Sequence, residues 1–229
     1  MKTALPTDHR IICKIIEPGS TVLDMGCGNG DLLELLRQEK KVKGQGIELN
    51  ESAIFACVEK GISVFHMDFD SGLSSYPGQS FDYVILNRSL QETLHVEFVL
   101  QEALRVGKKV VVGFPNFAHI RSRVQLFFRG KTPVTHALPH PWYNTPNLHF
   151  LSISDFERFT AARGVKVLER YYYSGSLEVR FLPNLFAMDA IFVISGRRPQ
   201  PKKALNPCQK IKFSPLATQI DTDFQTFWP

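Results

Sequence analysis

The stretch Val22-Leu23-Asp24-Met25-Gly26-Cys27-Gly28-Asn29-Gly30 constrains this chain more than any other. An apolar strand runs into alternate glycines, and Leu32, Leu35 and Leu36 follow at helical spacing. Glycine permits positive φ and lets main chain approach a ligand with no Cβ between them, and the following helix N-terminus supplies unpaired N–H donors. A parallel sheet binds ligands in this way, beyond the carboxyl ends of its strands. A dinucleotide fingerprint G-x-G-x-x-G begun at Gly26 needs glycine at 31, where Asp31 stands, so pyrophosphate binding is not expected.

Short apolar runs alternate with amphipathic segments through most of the chain, which argues for a parallel sheet covered by helices. Strands are expected at Thr21 to Asp24, Gly46 to Leu49, Ile62 to Met67, Phe81 to Leu86 and Lys109 to Phe114. Val96, Val99, Leu100, Ala103 and Leu104 form a helical stripe that Gly107 can end, and Asn50 can cap a helix that stops at Gly61. After Pro115 a helix is expected near Ala118 to Phe128. A long segment from Gly130 to His149 follows, rich in Pro, Thr, Asn and His; loops of that length are functional or disordered, and Trp142, Tyr143, Leu148 and Phe150 argue against disorder. Ser154 and Glu157 have the spacing of a capping box for a helix closed by Gly164. Val165 to Tyr173 and Ala190 to Ser195 then complete the sheet as a terminal antiparallel pair. This gives an α/β domain over residues 1–196 and a flexible tail over 197–229, where Pro199, Pro201, Pro207 and Pro215 interrupt any apolar period.

The formal net charge of +5 invites a nucleic-acid reading, but the excess sits in that tail. Six basic residues from Arg197 onward face only Asp221 and Asp223, which leaves the body close to neutral. Arg121, Arg123, Arg129 and Lys131 form a second positive cluster, yet no Asn-Pro-Pro-Tyr base-methylation motif follows the fourth strand, where Asn87-Arg88-Ser89-Leu90 stands. No nucleic-acid partner is expected. Cys13, Cys27, Cys57 and Cys208 show no C-x-x-C pair, no apolar signal core follows Met1, and no apolar run reaches the roughly 18 residues of a membrane span. A reducing, cytoplasmic location without membrane or metal partners is the expectation, with Cys57 a buried helix cysteine.

The glycine motif behind an acidic strand end resembles the first motif of class I S-adenosylmethionine-dependent methyltransferases, whose Rossmann-like fold is then implied. That resemblance assigns Asp24, Gly26, Cys27, Gly28 and Gly30 to the methionine part of S-adenosylmethionine or S-adenosylhomocysteine. Glu48, 24 residues after Asp24, stands where an acid meets ribose hydroxyls, and its carboxylate can accept from both. Asp68 matches the position that accepts from the adenine amino group, with Asp70 competing. Leu49 and Phe69 flank these acids and join the implied binding set, and Asn87 matches the position facing the sulfonium and any acceptor. Asp82 reads as structural.

A narrower resemblance is to the MetW family of methionine biosynthesis proteins. It rests on Val22 to Gly30, Gly44 to Glu48, Phe81 to Gln91, and above all Phe114-Pro115-Asn116-Phe117-Ala118-His119, Pro133-Val134-Thr135, Leu138-Pro139 and Trp142 to His149. The resemblance implies a partner role: homoserine O-acyltransferase (MetX) needs MetW in some bacteria, and this chain has no G-x-S-x-G nucleophile elbow with which to transfer an acyl group itself. The alternative is a catalytic methyltransferase acting on a small molecule. Methyl transfer is an in-line displacement that positioning can drive without an obvious base. Asn87, His119, Trp142, Tyr143 and His149 could orient an acceptor, although a capped turn, a satisfied loop histidine and a packed aromatic account for each of them singly.

Overall fold

The computed structural model describes residues 5–196. The expected flexible tail from Arg197 lies outside the described residues. Strands β1 (Thr21–Met25), β2 (Lys43–Glu48), β3 (Ser63–His66), β4 (Phe81–Asn87), β5 (Gly107–Pro115), β6 (Lys166–Ser174), β7 (Leu177–Glu178) and β8 (Asp189–Ser195) form one sheet in the order β3-β2-β1-β4-β5-β8-β6-β7. β1 to β5 run parallel, β8 enters antiparallel between β5 and β6, and the short β7 hairpins back on β6.

Helices cover both faces, so the central strands are apolar on both sides rather than alternating with polar residues. Leu23, Met25, Val84, Leu86, Val110, Val112, Phe114 and Phe192 face one core. There they meet α4 (Val96–Val106) and α6 (Ile153–Ala162) through Val99, Leu100, Ala103, Ile153 and Phe156. Val22, Tyr83, Ile85, Val111 and Ile191 face the other core, against α1 (Thr7–Ile15), α2 (Asp31–Lys40) and α3 (Glu51–Glu59). Phe156 seats α6 against the sheet, its ring centroid 5.1 Å from Phe114 and 4.8 Å from Phe192.

Several local expectations need correction. The capping box of α6 is Ser152 with Asp155: the Ser152 hydroxyl accepts from the Asp155 N–H while the Asp155 carboxylate accepts from the Ser152 N–H. Starting the helix there lets Ile153 and Phe156 bury, and Glu157 instead accepts from Arg170 at 3.2 Å and the Tyr172 hydroxyl at 3.1 Å on β6. Gly107 ends α4 without a left-handed turn: it is the extended first residue of β5, and a Cβ there would lie 2.7 Å from Val84 Cγ2. The helix after Pro115 is α5 (Ile120–Arg129), capped by His119 Nδ1, which accepts from Arg121 N–H at 3.2 Å. The short α7 (Pro183–Phe186), β7 and the N-terminal α1 have no counterpart in the sequence expectations.

α1 is held by an ionic contact across the sheet edge. Arg88, at φ 61°, puts its guanidinium 3.4 Å from Asp8 and 2.6 Å from Asp189 at the start of β8. Burial raises the Asp8 pKa, but the Asn87 amide, His9 and Arg88 outweigh it and hold the carboxyl below its usual value. Asp189 goes the other way, raised chiefly by burial. At the opposite edge Asp82 is structural as expected: it accepts from Thr21 N–H and Oγ1, both at 2.8 Å, and Lys108 above all holds it down to about 2.

Candidate functional site

At the carboxyl edge of β1 the chain turns through Gly26, Gly28 and Gly30, all at positive φ (78°, 53° and 75°). Gly26 and Cys27 N–H groups both donate to Ile47 O at 2.8 and 3.1 Å, which ties the turn to β2. The surroundings of the glycines differ. A Cβ on Gly26 would lie 2.8 Å from Ser89 Cβ, and one on Gly30 2.9 Å from Cys57 Sγ, whereas at Gly28 nothing lies within 4 Å. Gly26 and Gly30 are therefore demanded by packing inside the protein, while Gly28 opens onto free space. Cys27 and Cys57 pack beneath the turn with their sulfurs 3.9 Å apart, and burial pushes both thiols up, the opposite of a reactive thiolate.

Glu48, ending β2, braces this turn. Its Oε2 accepts from Gly28 N–H at 2.8 Å, and its Oε1 accepts from Leu49 N–H at 2.8 Å and Asn50 N–H at 2.9 Å. A carboxylate has about four acceptor sites, so these bonds leave room for one more donor on Oε2. Asp24 lies beside it, 3% exposed; burial first, then the Glu48 charge, push its carboxyl up to about 7. Asp24, Gly26, Cys27, Gly28, Gly30, Glu48 and Leu49 thus meet where β1 and β2 end.

The remaining expected residues are distributed around this centre. Asp68, exposed after β3, accepts from Asp70 N–H at 2.9 Å through Oδ1 and caps a 3-10 turn over Phe69–Ser71. Asp70 is otherwise employed: its two oxygens accept from Leu94 N–H at 3.0 Å and His95 N–H at 3.1 Å. The Phe69 ring reaches Gly26, within 3.7 Å of where a Cβ would stand. Asn87 turns toward α1, its amide nitrogen donating to Asp8 at 3.1 Å.

Sequence reasoning gave no site role to Ser89 or Gln91, just after β4. Ser89 and Gln91, 6% and 4% exposed, each carry a buried polar atom with no partner among the described residues, as does Asn87. The amide orientations are fixed by their neighbours. Asn87 Nδ2 faces a carboxylate and Gln91 Nε2 faces Arg88 O at 2.5 Å, both acceptors only, so Asn87 Oδ1 and Gln91 Oε1 are the atoms left empty. Asn87 Oδ1 lies against Gly113 on β5, where a Cβ would collide with it, whereas Ser89 packs against Gly26, so Ser89 Oγ and Gln91 Oε1 are the two buried atoms able to accept beside the glycine turn and the loop to His149. The only sequence signal was position, since buried polar residues following the fourth strand have no periodicity to mark them.

The segment Gly130 to His149 borders the same region. Leu148 and His149 N–H groups donate to Gln91 O at 2.8 and 3.0 Å, and His149 Nε2 lies 3.0 Å from Thr93 O. Burial and the Glu48 charge raise the Glu92 pKa, and His140 opposes them. Among the candidates to orient an acceptor, His119 serves as a helix cap and His149 is tied to Thr93, while Trp142 and Tyr143 stand 72% and 74% exposed. Among the described residues, no three His, Cys, Asp or Glu are grouped to hold a metal ion, and no helix is long and apolar enough to cross a membrane.

Comparison with solved structures gives the fold. A SAM-dependent methyltransferase from Archaeoglobus fulgidus matches with TM-score 0.62 at 16% identity, covering 82% of this chain and 91% of that one. An S-adenosylmethionine-dependent methyltransferase from Mesorhizobium loti matches with TM-score 0.59 at 13% identity over 81% and 95% of the two chains. The [4+2]-cyclase SpnF matches with TM-score 0.59 at 18% identity over 82% and 79%. One fold thus carries more than one chemistry. The bifunctional methionine biosynthesis protein MetXA/MetW of Rhodopirellula baltica is 34% identical over 189 residues, which are 79% of this chain and 30% of that relative. The present chain therefore spans less than a third of the length of that relative. The family model for methionine biosynthesis protein MetW matches residues 6–194. With that match running from α1 through β8, on a class I S-adenosylmethionine-dependent methyltransferase fold, the chain belongs to the MetW family of methionine biosynthesis.

Proposed function

We propose that this chain binds S-adenosylmethionine or S-adenosylhomocysteine at the carboxyl edge of β1 to β4 and assists homoserine O-acyltransferase (MetX) in forming O-acyl-homoserine. The observation that carries the partner half is the relative in which MetXA and MetW are one polypeptide. For the ligand, the residues fit. The open space over Gly28 admits the methionine part, with its Cβ absent where main chain and ligand approach. The free acceptor site on Glu48 Oε2 takes one ribose hydroxyl as it stands. A second hydroxyl requires Leu49 or Asn50 N–H to give way on Oε1, which narrows the two-hydroxyl expectation. Asp68 is exposed and its Oδ2 lies outside the capping bond, so it is available to the adenine amino group, with Leu49 and Phe69 as the apolar residues of the same set. In this reading Asp24 keeps a negative or hydrogen-bonding group beneath the cofactor, and Cys27, Gly26 and Gly30 shape the turn.

Ligand occupancy then reports methionine supply, because the ligand is made from methionine. That linkage operates through different ligand affinities in the free and partner-bound states, and equal affinities remove it. The experiment is homoserine acylation by the same organism's acyltransferase, with and without this chain, while both ligands are titrated. Stimulation is expected. Glu48→Ala, which loses a charge-assisted hydrogen bond worth about 1.5–3 kcal/mol, is expected to weaken ligand binding by about 10- to 150-fold in calorimetry. Unchanged affinity moves the ribose contact elsewhere, and no stimulation by the wild-type chain overturns the helper role.

One observation favours a second reading, methyl transfer to a small molecule. Two buried unpartnered atoms, Ser89 Oγ and Gln91 Oε1, call for a ligand with donors, such as an amine. Formation of S-adenosylhomocysteine by this chain alone, with an added amine and lost in Gln91→Leu, supports that reading; its absence across a panel of amines removes it.

A further inference from the structure

α5 is a helix without a buried apolar face. Helices in proteins gain most of their stability by packing an amphipathic stripe, yet Ser122 is the only buried residue of α5. Val124, Leu126, Phe127 and Phe128 are 44%, 50%, 82% and 76% exposed. Polar clamps hold the helix instead. His119 caps its start, Arg123 Nε donates to Ala118 O at 2.6 Å, and the Gln125 amide both donates to Val134 O at 3.1 Å and accepts from Val134 N–H at 3.0 Å. The loop so attached carries Trp142 and Tyr143, a T-shaped pair with centroids 5.8 Å apart. Exposed aromatics of this density mark interaction surfaces.

Charge says what fits there. From Ala103 through Ser154 the chain contains no Asp or Glu, while Arg121, Arg123, Arg129 and Lys131 lie on or beside α5. Aromatics and arginine with depleted acids is the composition of a protein-docking surface. The complementary face is apolar at its centre and acidic around it. The run from Arg197 to Lys212 has the wrong sign of charge to cover it, and a second copy would bring cations against cations.

We propose that α5 and the loop to His149 form the docking surface for the homoserine acyltransferase, through an acid-rimmed apolar patch on that partner. This rests on the helper reading above and adds where contact is made. The same loop ends on Gln91, whose side chain carries one of the empty acceptors, so docking and the ligand region share a backbone contact.

The test is calorimetry of the full chain with the same organism's homoserine O-acyltransferase at low and high salt. The double variant Phe127→Ser, Phe128→Ser is expected to weaken association by at least about tenfold, and Arg121→Glu with Arg129→Glu by about fivefold with a flatter salt dependence. Phe55→Ser, on α3 at 67% exposure, serves as the control and is expected to bind as wild type. Thermal midpoints of all variants verify folding. Binding by the phenylalanine variant within about twofold of wild type overturns the surface while leaving the helper role standing. Absence of any wild-type association overturns both. A dimer, or binding of a 20-mer DNA duplex, that the α5 variants abolish while acyltransferase affinity is unchanged reassigns the face and overturns the proposal.

Discussion

Two segments leave the same edge of the sheet, one after β1 and one after β5, under opposite constraints. After β1 the chain turns at once. Gly26 and Gly30 lie against Ser89 and Cys57, two N–H groups share Ile47 O, and Glu48 collects three more. After β5 the chain runs from Asn116 to the Ser152 cap of α6, held by separated polar clamps, with its largest aromatics in solvent. The first segment is specified by the inside of the molecule and keeps one opening, at Gly28. The second buries Ala137 and Leu138 but leaves Phe127, Phe128, Trp142 and Tyr143 unsatisfied by its own fold, as a surface awaiting a partner does.

Breaking the first segment should be costly. The largest effect is expected from the charge beneath the turn. Asp24 in the folded chain is raised to about 7, chiefly by burial, from the 3.8 of an ordinary aspartate. Between these values the folded state holds a proton that the unfolded state has released, so stability is greatest at low pH and falls as pH rises through about 7. At 1.36 kcal/mol per unit the loss approaches about 4 kcal/mol. Urea unfolding from about pH 4 to 8 should show this decline, and Asp24→Asn should remove about one proton from its slope below about pH 7, leaving the smaller contributions of the same sign from Asp189 and Glu92. An unaltered slope would mean that Asp24 ionises normally.

Gly26→Val comes next. A β-branched residue at φ 78° with its Cβ 2.8 Å from Ser89 Cβ combines strain with overpacking and should destabilise by about 3 kcal/mol in the same assay. Gly28→Ala sharpens the contrast. With nothing within 4 Å of the new Cβ, only the positive φ opposes it, so the cost should be about 1 kcal/mol, while binding of S-adenosylmethionine should drop by more than that loss explains. Ser152→Ala, removing the first ordered cap after the loose segment, should also cost about 1 kcal/mol.

What was legible in the sequence follows the same division. The five parallel strands, the Asn50 and Gly61 helix signals and the glycine turn were visible because each depends on residues close in the chain. The expected ends shifted by one to three residues, since pairing with a neighbour, as Asn87 pairs with Gly113, extends a strand past its apolar run. α1 was invisible because its buried Asp8 is made tolerable by Asn87 and Arg88, 79 and 80 positions away. The capping box was misplaced because Ser154 and Glu157 fit the spacing as well as Ser152 and Asp155, and only burial of Ile153 and Phe156 decides between them. Asp24, Glu48 and the glycines were legible as a cluster. The empty acceptors of Ser89 and Gln91 were not, because orphaning is a property of neighbours.

The smallest expected effect is also the sharpest test of the comparison. Phe127→Ser with Phe128→Ser removes two aromatic rings, a change that in a core costs several kcal/mol. Here the rings are 82% and 76% exposed and pack against each other, with centroids 5.0 Å apart, so folding gains little from them. The isolated chain should lose no more than about 0.5 kcal/mol, or even gain solubility, when its unfolding is measured without any partner. A loss of several kcal/mol would show that α5 packs on its own fold, and the two segments would then differ in sequence but not in kind. Unchanged stability means that whatever retains Phe127 and Phe128 in this chain acts outside its own folding.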